Sequence, residues 1–164
     1  MTPRRAFTLV ELLLVAGIIG IFAGLVIPRF ADTSRPPADP IARLLETDLR
    51  RARTEAMALG KPIVAVASQD GGSWWLSHAT NPAEPIAGTE RRFGSGGLAP
   101  MKGARLTVKS DDSALEDGSR VFAHFDTLGS RDEGEPTLEL RDRDGDRIAS
   151  WTIPAGRTRF DVAR

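Results

Sequence analysis

The sequence predicts an α+β fold: an N-terminal hydrophobic transmembrane helix, then an amphipathic helix packed on an antiparallel, sandwich-like β-sheet. Three observations predict it. An almost charge-free apolar run occupies residues 7–27. Apolar residues recur at helical spacing between Ile41 and Leu59. From Ile63 onward, short β-rich segments alternate with turns containing Gly, Asp and Pro.

The apolar run is the most informative element. Residues 1–6 read Met-Thr-Pro-Arg-Arg-Ala, short and basic. Phe7-Thr8-Leu9-Val10-Glu11 follows, and from Leu12 to Ile27 no side chain is charged. As a helix the segment is about 30 Å long, the thickness of a bilayer core. Arg4 and Arg5 precede it, which predicts a cytoplasmic N-terminus and an external C-terminal bulk.

Glu11 needs a reason, because a carboxylate within a spanning segment is costly and usually functional. Cleavage after Ala6 would create a partner, the new α-amino group of Phe7. Within one helix that amine lies about 6 Å along the axis from Glu11. In a neighbour displaced by about one turn the two could meet directly. Such a pair would neutralise two costly groups and set axial register between subunits.

Residues 30–40 form the expected link, because Pro36, Pro37 and Pro40 cannot share one regular helix. The globular domain is expected over residues 41–164. Asp39 reads as an N-cap with Pro40 at the first helical position. Ile41, Leu44, Leu45, Leu49, Ala52, Ala56 and Leu59 form the apolar face. Arg43, Glu46, Asp48, Arg50, Arg51, Arg53 and Glu55 lie largely off it. Gly60 and Pro62 stop the helix.

The strands are expected at Ile63–Ser68, Trp74–His78, Arg105–Lys109, Arg120–Phe125, Thr137–Arg141, Arg147–Ile153 and Thr158–Val162. Residues 79–104 read as a long loop with one short strand. Local turns joining short strands point to antiparallel pairing.

Arg5-Ala6-Phe7-Thr8-Leu9-Val10-Glu11-Leu12-Leu13 resembles the signal of type IV pilins and type II secretion pseudopilins. The resemblance implies a leader at 1–6 cut between Ala6 and Phe7, N-methylation of Phe7, an assembly helix at 7–29, and Glu11 as the assembly carboxylate. Pro28 matches the proline that often follows the family's membrane segment. Ala6 stands where the family normally has Gly. Leu49-Arg50-Arg51-Ala52-Arg53-Thr54-Glu55-Ala56, followed by a glycine and the strand from Ile63, is similar to the H-type minor pseudopilin group (GspH/FimT-like).

This resemblance implies a single-pass inner-membrane protein with a periplasmic domain, assembled into a pseudopilus that drives protein export. Its implied partners are other pseudopilins or pilins, a prepilin peptidase/N-methyltransferase, an inner-membrane platform, and membrane lipid before assembly. The alternatives are a type IV pilus minor pilin (adhesion, motility or DNA uptake) and a soluble protein exported through a twin-arginine signal, which Arg4-Arg5-Ala6-Phe7 also resembles. Glu11 inside the apolar run, and the lack of an A-x-A site near residues 22–32, speak against the twin-arginine reading.

Composition narrows the chemistry. The 164 residues carry 22 Lys+Arg against 22 Asp+Glu, and removing residues 1–6 leaves 20 against 22. That balance does not point to nucleic acid or anionic lipid. Arg50, Arg51 and Arg53 are interspersed with Glu46, Asp48 and Glu55, a mixed-charge face. With no cysteine, disulfides, thiolate catalysis and Cys-based metal sites are excluded.

No catalytic set or cofactor is expected. His78 and His124 fall in strands, with no pattern joining them to a nucleophile. Ser95 in Gly94-Ser95-Gly96-Gly97 lacks a G-x-S-x-G frame. Asp142, Asp144 and Asp146 have calcium-loop spacing around Gly145, but no distal carboxylate follows near Ile153. Arg141, Arg143 and Arg147 would repel a cation, so calcium is a weak alternative to a solvated hairpin tip. Of Trp74, Trp75 and Trp151, the adjacent pair must point to opposite strand faces. One is expected in the core and the other free for a protein contact.

Overall fold

A computed structural model describes residues 9–19, 38–110, 114–132, 134–156 and 161–162. The expected leader, the Ala6–Phe7 junction, Pro28, most of the Pro-rich link and residues 158–160 lie outside the described residues. The chain divides into two units, Met1–Arg35 and Pro36–Arg164. In the first, residues 9–19 form helix α1. Among the described residues no helix is long and apolar enough to cross a membrane; the remainder of the expected 7–29 span is not described.

In the second unit, α2 spans Ala38–Leu59. It begins inside the expected link. Asp39 therefore sits in the first turn rather than ahead of it, where its charge still favours the helix dipole. Pro40 is tolerated there because first-turn N–H groups have no intrahelical partner. Ile41, Leu45, Leu49, Ala52 and Ala56 are buried as the spacing predicts, whereas Leu59 is exposed. Gly60, at φ +60°, ends the helix in the left-handed region where a Cβ is penalised.

Among the described residues eight strands follow: β1 Ile63–Ala67, β2 Ser73–His78, β3 Arg91–Arg92, β4 Arg105–Lys109, β5 Arg120–Phe125, β6 Thr137–Arg141, β7 Arg147–Thr152 and β8 Asp161–Val162. The segment expected as a long loop with one short strand carries β3 and a 3-10 turn at Gly96–Met101. The strands make two four-stranded antiparallel sheets, ordered β3-β2-β1-β5 and β4-β6-β7-β8. Only some neighbours are local hairpins, such as β1–β2 and β6–β7. The β1–β5 and β4–β6 pairs join distant segments.

Alternation assigns the faces. Ile63, Ala65, Ala67, Trp74, Leu76 and Phe125 of the first sheet share one core with the α2 stripe. Leu106, Val108, Leu138, Leu140 and Trp151 of the second sheet complete it. The opposite face of the first sheet carries Val64, Val66 and Trp75, with Val121 of β5 beside them and Ala79 and Leu115 packed against them from connecting segments. Trp75 is thus buried, and its Nε1–H donates to the Pro82 carbonyl at 2.9 Å. The expected exposed tryptophan does not exist, because connecting loops cover what a bare sheet would show to water.

Asp48 also departs from expectation. It is 3% exposed, on the buried side of α2. Its Oδ2 accepts the Trp74 Nε1–H at 3.0 Å, and Arg91 Nη2 donates to Oδ1 at 3.2 Å. One carboxylate therefore ties α2 to β2 and β3.

Glu139, enclosed on the outer face of the second sheet, meets Lys109 Nζ at 2.6 Å and Arg141 Nη2 at 2.9 Å. The hydrogen bond from Lys109 is the main cause of a pKa below its ordinary 4.5. A depressed carboxylate pKa contributes stability above the ordinary value, lost as pH falls through the folded value. Glu139→Gln should therefore lower stability at neutral pH, and the gap to the parent should narrow as pH falls through and below the ordinary carboxylate range. Denaturant midpoints measured across that range check it; a gap independent of pH would contradict the ion-pair role.

Candidate functional site

The described part of α1 presents a run of exposed apolar side chains. Leu9, Val10, Leu12, Leu13, Leu14, Val15, Ile18 and Ile19 are between 46% and 77% exposed. A continuous apolar surface of this kind marks contact with lipid or with other protein. Glu11 lies on the same helix, between Val10 and Leu12. The described helix is thus an exposed apolar surface with one carboxylate in it. Its proposed partner group, the Phe7 amine, lies outside the described residues.

The other residues singled out by sequence do not converge. In the ladders around β1, Ile63 stands beside His78 and Val64 beside His124. Adjacent strand positions face opposite ways, so the two histidines lie on opposite faces of the sheet. His124 Nδ1 comes within 3.0 Å of Asp132 Oδ2 without the alignment of a hydrogen bond. Ser95 Oγ donates to the Arg92 carbonyl at 2.8 Å.

Asp142 Oδ1 accepts the N–H groups of Asp144 and Asp146 at 2.9 and 2.8 Å, while Arg141 Nη1 donates to the Gly145 carbonyl at 2.9 Å. That carboxylate holds the hairpin turn together, and a guanidinium closes over it. Among the described residues no group of three or more His, Asp or Glu side chains is placed to hold a metal ion. Trp151, in the core beside Leu138, is 1% exposed. Arg51 pairs with Glu55 at 2.8 Å along α2, while Arg50 and Arg53 face solvent.

Arg131 was not singled out by sequence. It is 7% exposed, and its Nη2 donates to the Ile153 carbonyl at 3.0 Å and also to the Pro154 carbonyl. Burial lowers its pKa from the ordinary arginine value. It joins the segment after β5 to the end of β7.

Residues 1–27 match the family model described as the prokaryotic N-terminal methylation motif. Over 119 residues the chain is 32% identical to the pilin-like protein PilA1 of Thermus thermophilus, covering 73% of this chain and 76% of that one. The chain belongs to the pilin-like family. Among solved structures, this pilin-like protein resembles the minor pseudopilin EpsH of the type 2 secretion system of Vibrio cholerae, with a TM-score of 0.51 and 12% identity. The match covers 78% of this chain and 97% of EpsH. The type IV minor pilin FimU of Pseudomonas aeruginosa gives a TM-score of 0.49 at 14% identity, over 77% of this chain and 87% of that one. The EpsH likeness supports a pilin-like fold: helix plus antiparallel sheets. The pilin-like protein carries a prepilin-type N-terminal motif, which implies membrane anchoring and processing at that motif.

Proposed function

We propose that this pilin-like protein is a minor pseudopilin of a type II secretion system, an assembly subunit and not an enzyme. The N-terminal methylation motif with Glu11 in its apolar run carries the reading. Cleavage between Ala6 and Phe7 removes the basic leader and leaves Phe7 for N-methylation. Before assembly the apolar helix rests in the inner membrane, with the sandwich domain in the periplasm. An inner-membrane platform transfers the helix into a filament, where apolar packing replaces lipid contact. Glu11 then meets the Phe7 amine of a neighbour and fixes the register, since an unmatched charge in apolar surroundings is heavily penalised. The α2 resemblance to H-type minor pseudopilins supports the secretion reading. The relative's name, pilin-like protein PilA1, supports a second reading as a type IV pilus minor pilin.

Intact-mass and N-terminal analysis of protein from cells tests the processing step. The expected product begins at methylated Phe7. Retention of Arg4 and Arg5 defeats it, as does a freely soluble chain cut beyond residue 22, which is the twin-arginine outcome. Glu11→Ala should be cleaved normally yet reach filaments at a tenth of the parent level or less, the loss expected from about 1.4 kcal/mol or more. Normal incorporation would refute the register mechanism. Deleting the gene and scoring secreted protein against surface pili separates the two memberships.

A further inference from the structure

At one end of the domain, four segments far apart in sequence meet around a cleft of about 520 Å³. The β1–β2 turn brings Ser68 and Asp70; the end of β3 brings Arg92 and is followed by Phe93. The start of β4 brings Arg105, and the β6–β7 hairpin brings Arg143. Three arginines and one carboxylate thus line one cleft. Asp70 is engaged by its own turn: its Oδ1 accepts from Ser68 Oγ at 2.6 Å and from the Gly72 N–H at 2.9 Å. These bonds, Ser68 first, lower its pKa.

The cleft is shaped by the fold. The Arg143 stem lies over Gly103, where a Cβ would come within 3.1 Å of Arg143 Cβ. Arg105 stands directly across from Arg141 in the β4–β6 ladder. Arg141 is engaged by Glu139, whereas Arg105 stands near enough to Asp70 for its charge to help hold that carboxylate ionised. The other ion pairs are exposed and easily exchanged. Arg92 meets Glu90 at 3.0 Å, and Arg143 meets Asp144 at 3.7 Å.

We infer that this cleft is a docking site for an acidic peptide segment of a partner protein, one presenting at least two carboxylates to Arg92, Arg105 and Arg143. Guanidinium forks match carboxylates in paired hydrogen bonds. Nucleic acid fits less well, because backbone binding uses an extended basic track. Here the positive charge is confined to one cleft that also holds Asp70, on a chain of zero formal charge.

The test uses the full chain in detergent and a fluorescein-labelled peptide of alternating Asp and Glu, read by anisotropy at low salt. Saturable binding is expected, weakening as salt rises. Arg105→Gln and Arg143→Gln should each raise Kd about tenfold, the loss of one charge-assisted contact. Arg50→Gln, an exposed arginine of α2 outside the cleft, should leave it unchanged. Asp70→Asn, which keeps an acceptor for its turn, should tighten binding by removing the cleft's one negative charge. Absence of saturable binding, or equal loss in Arg50→Gln, overturns the site. Tighter binding of a single-stranded oligonucleotide that is lost in the same two arginine variants overturns its assignment to protein. The residues that line the cleft run from Ser68 to Arg143, so the result is separable from the outcome of the processing experiment.

Discussion

Trp74→Ala should lower the unfolding free energy by about 3–5 kcal/mol, the range for emptying a large buried aromatic site. Trp74 is fully buried at the centre of the shared core, with its ring centroid 5.3 Å from that of Phe93. It is also the donor that reaches Asp48 across the α2–β2 contact at 3.0 Å. Alanine removes the volume and leaves Asp48 with Arg91 alone. A domain of this size has about 5–15 kcal/mol in total, so the variant should sit near the edge of folding. Trp74→Phe separates the two contributions, since it keeps most of the volume and loses the N–H. It should cost about 1–3 kcal/mol, the penalty for leaving a buried polar group short of a partner. Denaturant unfolding of both variants, alone and combined with Asp48→Asn, measures the coupling. A Trp74→Ala cost below about 1 kcal/mol would contradict its place at the core's centre.

The pattern that made α2 legible also contained Asp48. Position 48 follows Leu45 by three and precedes Ala52 by four, so helical spacing places it on the buried face. Its charge argued for the opposite face, and tertiary structure overrode that by supplying Trp74 and Arg91 as partners. β4, β5 and β6 were readable to the residue because each signals itself through local composition and its flanking turns. The short strand expected within residues 79–104 could not be placed: Arg91 and Arg92 have no strand signature, and only pairing with Ser73 and Trp74 makes them β3. The sandwich-like layering was expected, but the strand order within its two sheets was hidden, since β1–β5 and β4–β6 pairing is set by long-range packing. The N-terminal motif was legible because its signal is contiguous. The arginine cleft was not, because its three arginines come from three distant segments and each looks like an ordinary surface charge.

Gly71→Ala should be the most damaging single-methyl change in the β1–β2 turn, costing about 2–4 kcal/mol. Two penalties add. Gly71 has φ +69°, where an added Cβ costs about 1–2 kcal/mol. The Cβ would also stand 2.7 Å from the Leu106 carbonyl oxygen, a backbone atom that cannot swing aside. The same junction holds the hydrogen bond from the Leu106 N–H to the Gly71 carbonyl at 2.8 Å, worth about 1 kcal/mol, and it ties the first sheet's turn to β4 of the second. Gly60→Ala supplies the control: its φ is +60°, and nothing lies within 4 Å of its added Cβ, so it should lose only the torsional part. A gap of about 1–2 kcal/mol between the two variants measures the close approach of the sheets. Equal costs would mean that the sheets yield freely there. In that case Arg105, one residue before Leu106, and Asp70, one residue before Gly71, would not be held in a fixed geometry across the cleft. Acidic-peptide affinity in Gly71→Ala would then match the parent, whereas a rigid junction requires it to fall along with stability.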